Sequence, residues 1–319
     1  MLGCRSSGLC REGNKEQVSG APDSLRSIFF ALGANLAIAG TKLFGALFTG
    51  SSAMLAEAIH SFADCGNQGL LLLGLHRARR PPSSQHPLGF GKAIYFWSFI
   101  VALMLFSMGG LFSIYEGIHR LHAHESLSAR WVAIGILTFS MLAEGVSLVG
   151  CLREIKKVRG ARSLWRWFRE SRQSELIVVL GEDVAALFGL TLALGAVLLA
   201  LTTGNAAFDA AGSIAIGVLL VLVAVAIGVQ IHGLLIGESA EPAVQAAIRE
   251  VLIARSEIDA VLNLITLQLG SDVMVAVKAR MAGCETSREM VEGINRCEAA
   301  LREAVPQVRW VFFEPDLRA

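Results

Sequence analysis

The sequence predicts an all-α six-helix transmembrane bundle followed by a small C-terminal cytoplasmic α+β domain. Three observations carry this. Of the 319 residues 54% are hydrophobic and only 17% charged, with a mean hydropathy of +0.56. Soluble domains carry about 25% charged residues, so much of this chain is shielded from water. Apolar stretches of membrane-spanning length recur through the first three quarters of the chain, and the texture turns to that of a soluble domain near Glu241.

A spanning helix needs about 20 mostly apolar residues. Six stretches qualify: 27–48, 52–75, 93–116, 130–152, 175–202 and 207–235, the last two joined by Thr203-Gly204-Asn205. Residues 1–26 are polar and mixed in charge, without the apolar core of a secretory signal, and read as a disordered tail. The membrane domain is then expected over 27–238 and the cytoplasmic domain over 239–319. The 32 glycines suit close helix packing in lipid. Net charge is +1, which gives no basis for a nucleic-acid partner.

Loop charge sets the orientation. Arg77, Arg79, Arg80 and Lys92 follow span two, and a run from Arg153 to Arg172 follows span four. The loops after spans one and five carry no Lys or Arg, so the positive-inside rule puts both termini in the cytoplasm.

The tail reads as α-β-β-α-β, a ferredoxin-like order. Pro242 opens a helix at its tolerated first position, over about 242–254. Val261–Leu269 and Val273–Met281 read as strands around Gly270-Ser271-Asp272. Thr286-Ser287-Arg288-Glu289 is a capping box before a helix, and Val308–Phe313 is a last strand. So short a sheet leaves a face or edge to be covered, which predicts dimerisation. The six cysteines show no C-x-x-C pair and read as free thiols.

The spans contain charges that need a reason. Span two holds Glu57, His60, Asp64 and Asn67 at spacings of three, four and three, all along one helix face. Span five holds Glu182 and Asp183; Lys42, Glu144 and Asp209 lie in spans one, four and six. A charge at the bilayer centre costs about 2.5–3.5 kcal/mol even on lenient scales. A single Lys faces at least five acids, so pairing alone cannot neutralise them, whereas a dication and protons can.

Individual residues have plainer readings too. Lys42 forms a buried ion pair with Glu144 or Asp209; Glu57, near the outer end of span two, faces water; Asn67 makes a helix–helix hydrogen bond. His60 and Asp64, at i and i+4, form a two-donor clamp. Imidazole with carboxylate suits zinc, four-coordinate at about 2.0–2.2 Å, and also Mn, Fe(II) or Co. Cys65 points about 100° away from Asp64 and is a poor ligand. No H-E-x-x-H is present, which argues against a membrane hydrolase. A non-transporting metal sensor is the other rival.

With these residues in place, the chain resembles the cation diffusion facilitator family. The carrying motifs are Ala56–Asp64 (AEAIHSFAD), His86–Lys92 (HPLGFGK) and Asp209–Ser213 (DAAGS), in order, with a six-span plan and α+β tail over about residues 24–316. Leu180–Ala186 (LGEDVAA) and Ser140–Gly145 (SMLAEG) look most like the branch containing animal zinc transporter 9 and its bacterial relatives. The resemblance implies a homodimeric metal/proton antiporter, no enzyme, in a bacterial inner (plasma) membrane. Its cargo would be Zn2+, with Mn2+, Fe2+ or Co2+ as alternatives. Carried over by position, the metal site is His60, Asp64 and Asp183, with Glu182 the nearest replacement for a fourth donor lost at Val179. His60 would couple protons, since imidazole titrates near neutrality. Phe90 stands where a loop ligand beside His86 is often found, and no His follows His232, so loop and tail metal sites are not expected. The resemblance also implies that Lys92 pairs with Glu238 to interlock the membrane and tail domains.

Overall fold

The structure is a computed structural model that describes residues 21–123 and 130–318. Residues 1–20 of the expected N-terminal tail, with Cys4 and Cys10, lie outside the described residues. The first helix, α1, begins at Ala21, inside the stretch read as disordered.

The long helices follow the apolar stretches with modest extensions. They are α1 (Ala21–Thr49), α2 (Ser52–Ala78), α3 (Ala93–Met104) continuing through a π segment (Leu105–Leu111) into α4 (Phe112–Ala123), α5 (Arg130–Arg159), α7 (Ser174–Thr203) and α8 (Ala207–Ile236). Among the described residues, four helices are long and apolar enough to cross a membrane: Ala93–Leu121, Trp131–Arg159, Ser174–Thr203 and Ala207–Ile236. Helix α2 falls below that apolarity because Glu57, His60, Asp64, Asn67 and Gln68 interrupt it. It packs instead inside the bundle, against α1, α3, α7 and α8.

Two features of this region were not foreseen. A short helix, α6 (Leu164–Glu170), interrupts the basic segment after α5 and buries Trp167 against Ile155, Ile177 and Leu180. The π segment in the middle of the candidate span Ala93–Leu121 is the other, since such bulges leave no clear mark in hydropathy. Here the chain carries Gly109-Gly110. A Cβ on Gly110 would meet the Gly217 carbonyl at 3.3 Å, and one on Gly217 would meet the Gly110 carbonyl at 2.6 Å. The two glycines let this segment and α8 approach backbone to backbone, the small-residue packing of membrane bundles.

The C-terminal elements are α9 (Pro242–Ile253), β1 (Ile258–Leu269), β2 (Asp272–Met281), α10 (Ser287–Ala304) and β3 (Val308–Pro315). The order α-β-β-α-β is as read from the sequence. The sheet runs β1-β2-β3, with β2 antiparallel to β1 (Leu264 opposite Val277) and parallel to β3 (Val275 opposite Val311). The capping box is formed: Glu289 N–H donates to Thr286 Oγ1 at 3.2 Å, and Thr286 N–H to Glu289 Oε2 at 3.3 Å. Val273, Val275, Val277 and Ala279 of β2 pack against Ile248 and Leu252 of α9 and Cys297 and Leu301 of α10. The opposite sheet face leaves Ile265 and Phe312 exposed beside Lys278. Cys65, Cys151, Cys284 and Cys297 are free thiols.

The two parts meet at a built junction. Tyr95 at the start of α3 accepts a hydrogen bond from Gly270 N–H at 3.1 Å, in the β1–β2 turn. That turn sits on Gly91, whose Cα approaches so closely that a Cβ would overlap the Leu269 carbonyl. On the other side, Arg172 Nη1 stands 2.8 Å from Glu238 Oε2, its Nε donates to the Ser239 carbonyl at 2.8 Å, and Arg162 donates to Glu241 at 3.0 Å. The partner of Glu238 is therefore Arg172, where the sequence suggested Lys92. The side chain of Lys92 lies instead near Gly237.

Candidate metal site

Helix α2 places its polar face inward. His60 is wholly buried, and its Nδ1 lies 3.5 Å from Asp64 Oδ1 across one helical turn. That is at the outer limit of hydrogen bonding, and neither ring nitrogen of His60 nor Asp64 Oδ1 has a hydrogen-bond partner. Across the interface, α7 presents Glu182 and Asp183. Asn67 donates to Glu182 Oε1 at 2.6 Å, the helix–helix bond expected of it, and Ser147 of α5 donates to Asp183 Oδ1 at 3.1 Å. Asp183 is 8% exposed and its Oδ2 is unpartnered. The thiol of Cys151, on α5, lies beside Asp183.

Between these helices is a cavity of about 50 Å³. Its acids are Asp64, Glu144, Glu182 and Asp183; Ser61, Ser147, Asn35 and Gln68 add polar groups, and Val179, Ile38 and Ala186 line the rest. Of the four expected metal donors, three therefore face one space: Asp64, Glu182 and Asp183. His60 is adjacent but not in the lining; it faces the π segment, within 3.9 Å of where a Cβ on Gly109 would stand. Among the described residues, no three His, Cys, Asp or Glu side chains close on a point that would hold an ion. The donors surround a cavity without being drawn together. Asp64 Oδ1 and Asp183 Oδ2, both on residues of this wall, are buried without a partner, and leaving such atoms unsatisfied costs about 1–3 kcal/mol each.

The remaining intramembrane charges divide into two groups. Lys42 is wholly buried; it donates to Ser61 Oγ at 2.7 Å and to Glu57 Oε2 at 3.5 Å, and lies 3.7 Å from Glu144 Oε1. Of the two partners suggested for Lys42, the structure gives Glu144. Glu57 is fully buried within this cluster and does not face water, because α2 turns that face toward α1 and α7. Asp209 lies apart: Ser51 donates to its Oδ1 at 2.6 Å, fastening the α1–α2 turn to the start of α8. Ser51 also caps α2 by accepting from Met54 N–H.

The missed contributors are Ser61, Ser147 and Cys151. A hydroxyl or thiol in an apolar span is unremarkable in sequence, and only the bundle shows that these face the acids.

Comparison with known proteins identifies the family. Residues 28–232 match the cation efflux transmembrane domain family. The mitochondrial proton-coupled zinc antiporter SLC30A9 of Xenopus laevis is 38% identical over 204 residues, 63% of this chain and 36% of that protein. The Mus musculus protein of the same name is 33% identical over 232 residues, 72% of this chain and 41% of the relative. Metal tolerance protein C4 of Arabidopsis thaliana is 33% identical over 205 residues, 63% of this chain and 45% of that protein. The chain thus spans about two fifths of the length of the curated relatives it matches. The family is one of transporters, so this membrane protein is not an enzyme. The chain belongs to the cation efflux family, the cation diffusion facilitators, in their zinc transporter 9-like branch.

Proposed function

We propose that the chain moves a divalent transition metal, zinc foremost, out of the cytoplasm in exchange for protons. The observation that carries this is the cavity walled by Asp64, Glu144, Glu182 and Asp183, with unpartnered carboxylate oxygens, inside a cation efflux transmembrane domain. The names of the relatives, proton-coupled zinc antiporters, support zinc and proton coupling. The chain spans the membrane six times, with α1 and α2 as the first two spans, and both termini are cytoplasmic at a bacterial inner membrane. The basic segments after α2 and α5 support that orientation.

Metal enters between α2 and α7, sheds water and binds Asp64, Asp183 and His60, which rotates from the π segment toward the cavity. Protons return on the same groups when the metal has left on the far side. Residues 239–319 form a ferredoxin-like dimerisation domain that binds no metal; the open sheet face with Ile265 and Phe312 is the surface a second copy covers.

The test is metal-stimulated proton flux in proteoliposomes holding the purified chain, run in parallel with zinc, manganese, iron(II) and cobalt. Flux that zinc stimulates above the others is expected. Zinc uptake without counter-movement of protons would overturn antiport, and no metal flux at all would leave the sensor reading in its place.

A further inference from the structure

The acids around Lys42 are not equivalent. Glu57 is wholly buried, accepts a hydrogen bond from the Lys42 ammonium, and takes no part in the cavity wall. Glu144 lies at 3.7 Å from the same ammonium, beyond hydrogen-bond reach, and it lines the cavity with Asp64, Glu182 and Asp183. Ser61, the closest partner of Lys42 at 2.7 Å, is also in the wall. The ammonium thus sits behind the cavity, hydrogen-bonded to Ser61 of its wall, at the limit of hydrogen-bond distance from Glu57 on the far side, and held by charge to Glu144, which faces the cavity.

The wall itself has a gap. At Val179 the α7 side offers methyl groups, and Asn67 engages one oxygen of Glu182. Glu144 enters from a third helix, α5, and lines the same small cavity as Asp64, Glu182 and Asp183. Asp183, more than nine-tenths buried, aims an unpartnered oxygen into the same space. A dication held by Asp64 and Asp183 alone would face Glu144 across the cavity, and that acid would be drawn to it.

We propose that Glu144 is a cation ligand of this site, standing in for the donor that Val179 withholds, and that Lys42 is a tethered countercharge which holds Glu144 while the site is empty and is left to Glu57 and Ser61 when it fills. This rests on the cavity being the transport site. Each loading then exchanges an ammonium–carboxylate contact for a metal–carboxylate one. The reverse exchange helps expel the ion, so Lys42 lowers affinity and speeds release.

The experiment measures zinc binding to the detergent-solubilised full chain by calorimetry, and zinc flux in proteoliposomes, for the wild type, Asp183→Asn, Glu144→Gln, Lys42→Met and the double variant Lys42→Met/Glu144→Gln. Glu144→Gln should weaken binding by about tenfold or more. Lys42→Met should bind zinc more tightly than wild type while its flux falls, and the double variant should bind as weakly as Glu144→Gln. If the pair only neutralises a buried charge, the double variant will recover wild-type affinity and flux, and the proposal is overturned. Wild-type affinity in Glu144→Gln overturns it too. Should that variant fail to elute as a folded species, Glu144→Asp replaces it: this keeps the charge but shortens the reach, and unchanged zinc affinity there counts against Glu144 as a ligand. Equal binding by wild type and Asp183→Asn would instead remove the transport-site reading, and this inference with it, a result distinct from loss of Glu144 alone.

Discussion

Asn67 on α2 donates a 2.6 Å hydrogen bond to Glu182 Oε1 on α7, bridging the two helices that frame the cavity. The bond engages one oxygen of Glu182 and fixes its side chain, so Glu182 is held as part of the helix interface. A glutamine at the same position can keep the bond through its carbonyl oxygen. Glu182→Gln should therefore lower zinc affinity only a few-fold, whereas Asp183→Asn, which removes the charge beside an unpartnered buried oxygen, should abolish saturable binding. Calorimetric titration of the two variants decides between them. Equal losses would make Glu182 a ligand on the same footing as Asp183.

The junction makes a second expectation. Arg172 bonds the Ser239 carbonyl and pairs with Glu238, while Arg162 pairs with Glu241, so the segment before α7 grips the chain on either side of Ala240. Such part-buried pairs are worth about 1 kcal/mol or less each when isolated, but here several share one turn. Reversing Arg172 to Glu should reduce flux, and adding Glu238→Arg should restore much of it. Lys92→Glu should change flux less than Arg172→Glu. The opposite ranking would return the interlock to Lys92.

How far the sequence could be read here follows from the distance between partners. His60 and Asp64 lie one helical turn apart, so their shared face was legible from spacing alone. Asp183, as a charge in a strongly apolar span, was legible from its cost. The partner of Glu238 was not, because both Lys92 and Arg172 end up near the same helix ends, and choosing between them requires the angle at which the β1–β2 turn docks on α3. Glu57 was misjudged for a similar reason: its depth in the bundle depends on Lys42, fifteen residues away on the preceding helix. The π segment and α6 escaped because hydropathy registers length and apolarity, and neither feature changes those.

The tail should show acid sensitivity traceable to one carboxylate. Arg296 on α10, followed by backbone N–H and Arg255, holds the Glu257 carboxyl down to about 2. In the unfolded chain a glutamate titrates near about 4.3, so below that pH the unfolded state binds the extra proton. The stabilisation from Glu257 is present above about 4.3 and is lost as pH falls toward 2. Hydrogen exchange across 239–319 in the full chain should thus accelerate through this window, and Glu257→Gln should flatten the change while leaving the tail less protected at neutral pH. An unaltered acid profile in Glu257→Gln would remove this assignment.

The close approach of Gly110 and Gly217 yields the last expectation, because it couples packing to the position of His60. A Cβ on Gly217 would come within 2.6 Å of the Gly110 carbonyl and 2.8 Å of the Ile114 backbone nitrogen. Backbone atoms cannot move aside as a side-chain tip can, so α8 must separate from the π segment and α4. Overpacking of this kind costs about 1–3 kcal/mol, and Gly217→Val should lower the thermal midpoint of the solubilised chain accordingly. The π segment would shift with it, and Gly109 in that segment lies against the His60 ring. If His60 must turn from that segment into the cavity to take up metal, the displacement should alter zinc affinity as well as stability. Gly40 provides the control: an added Cβ there meets nothing within 4 Å, so Gly40→Ala should leave both quantities near the wild-type values. Destabilisation in Gly217→Val with wild-type zinc affinity would separate the helix contact from the site and confine it to holding the bundle together.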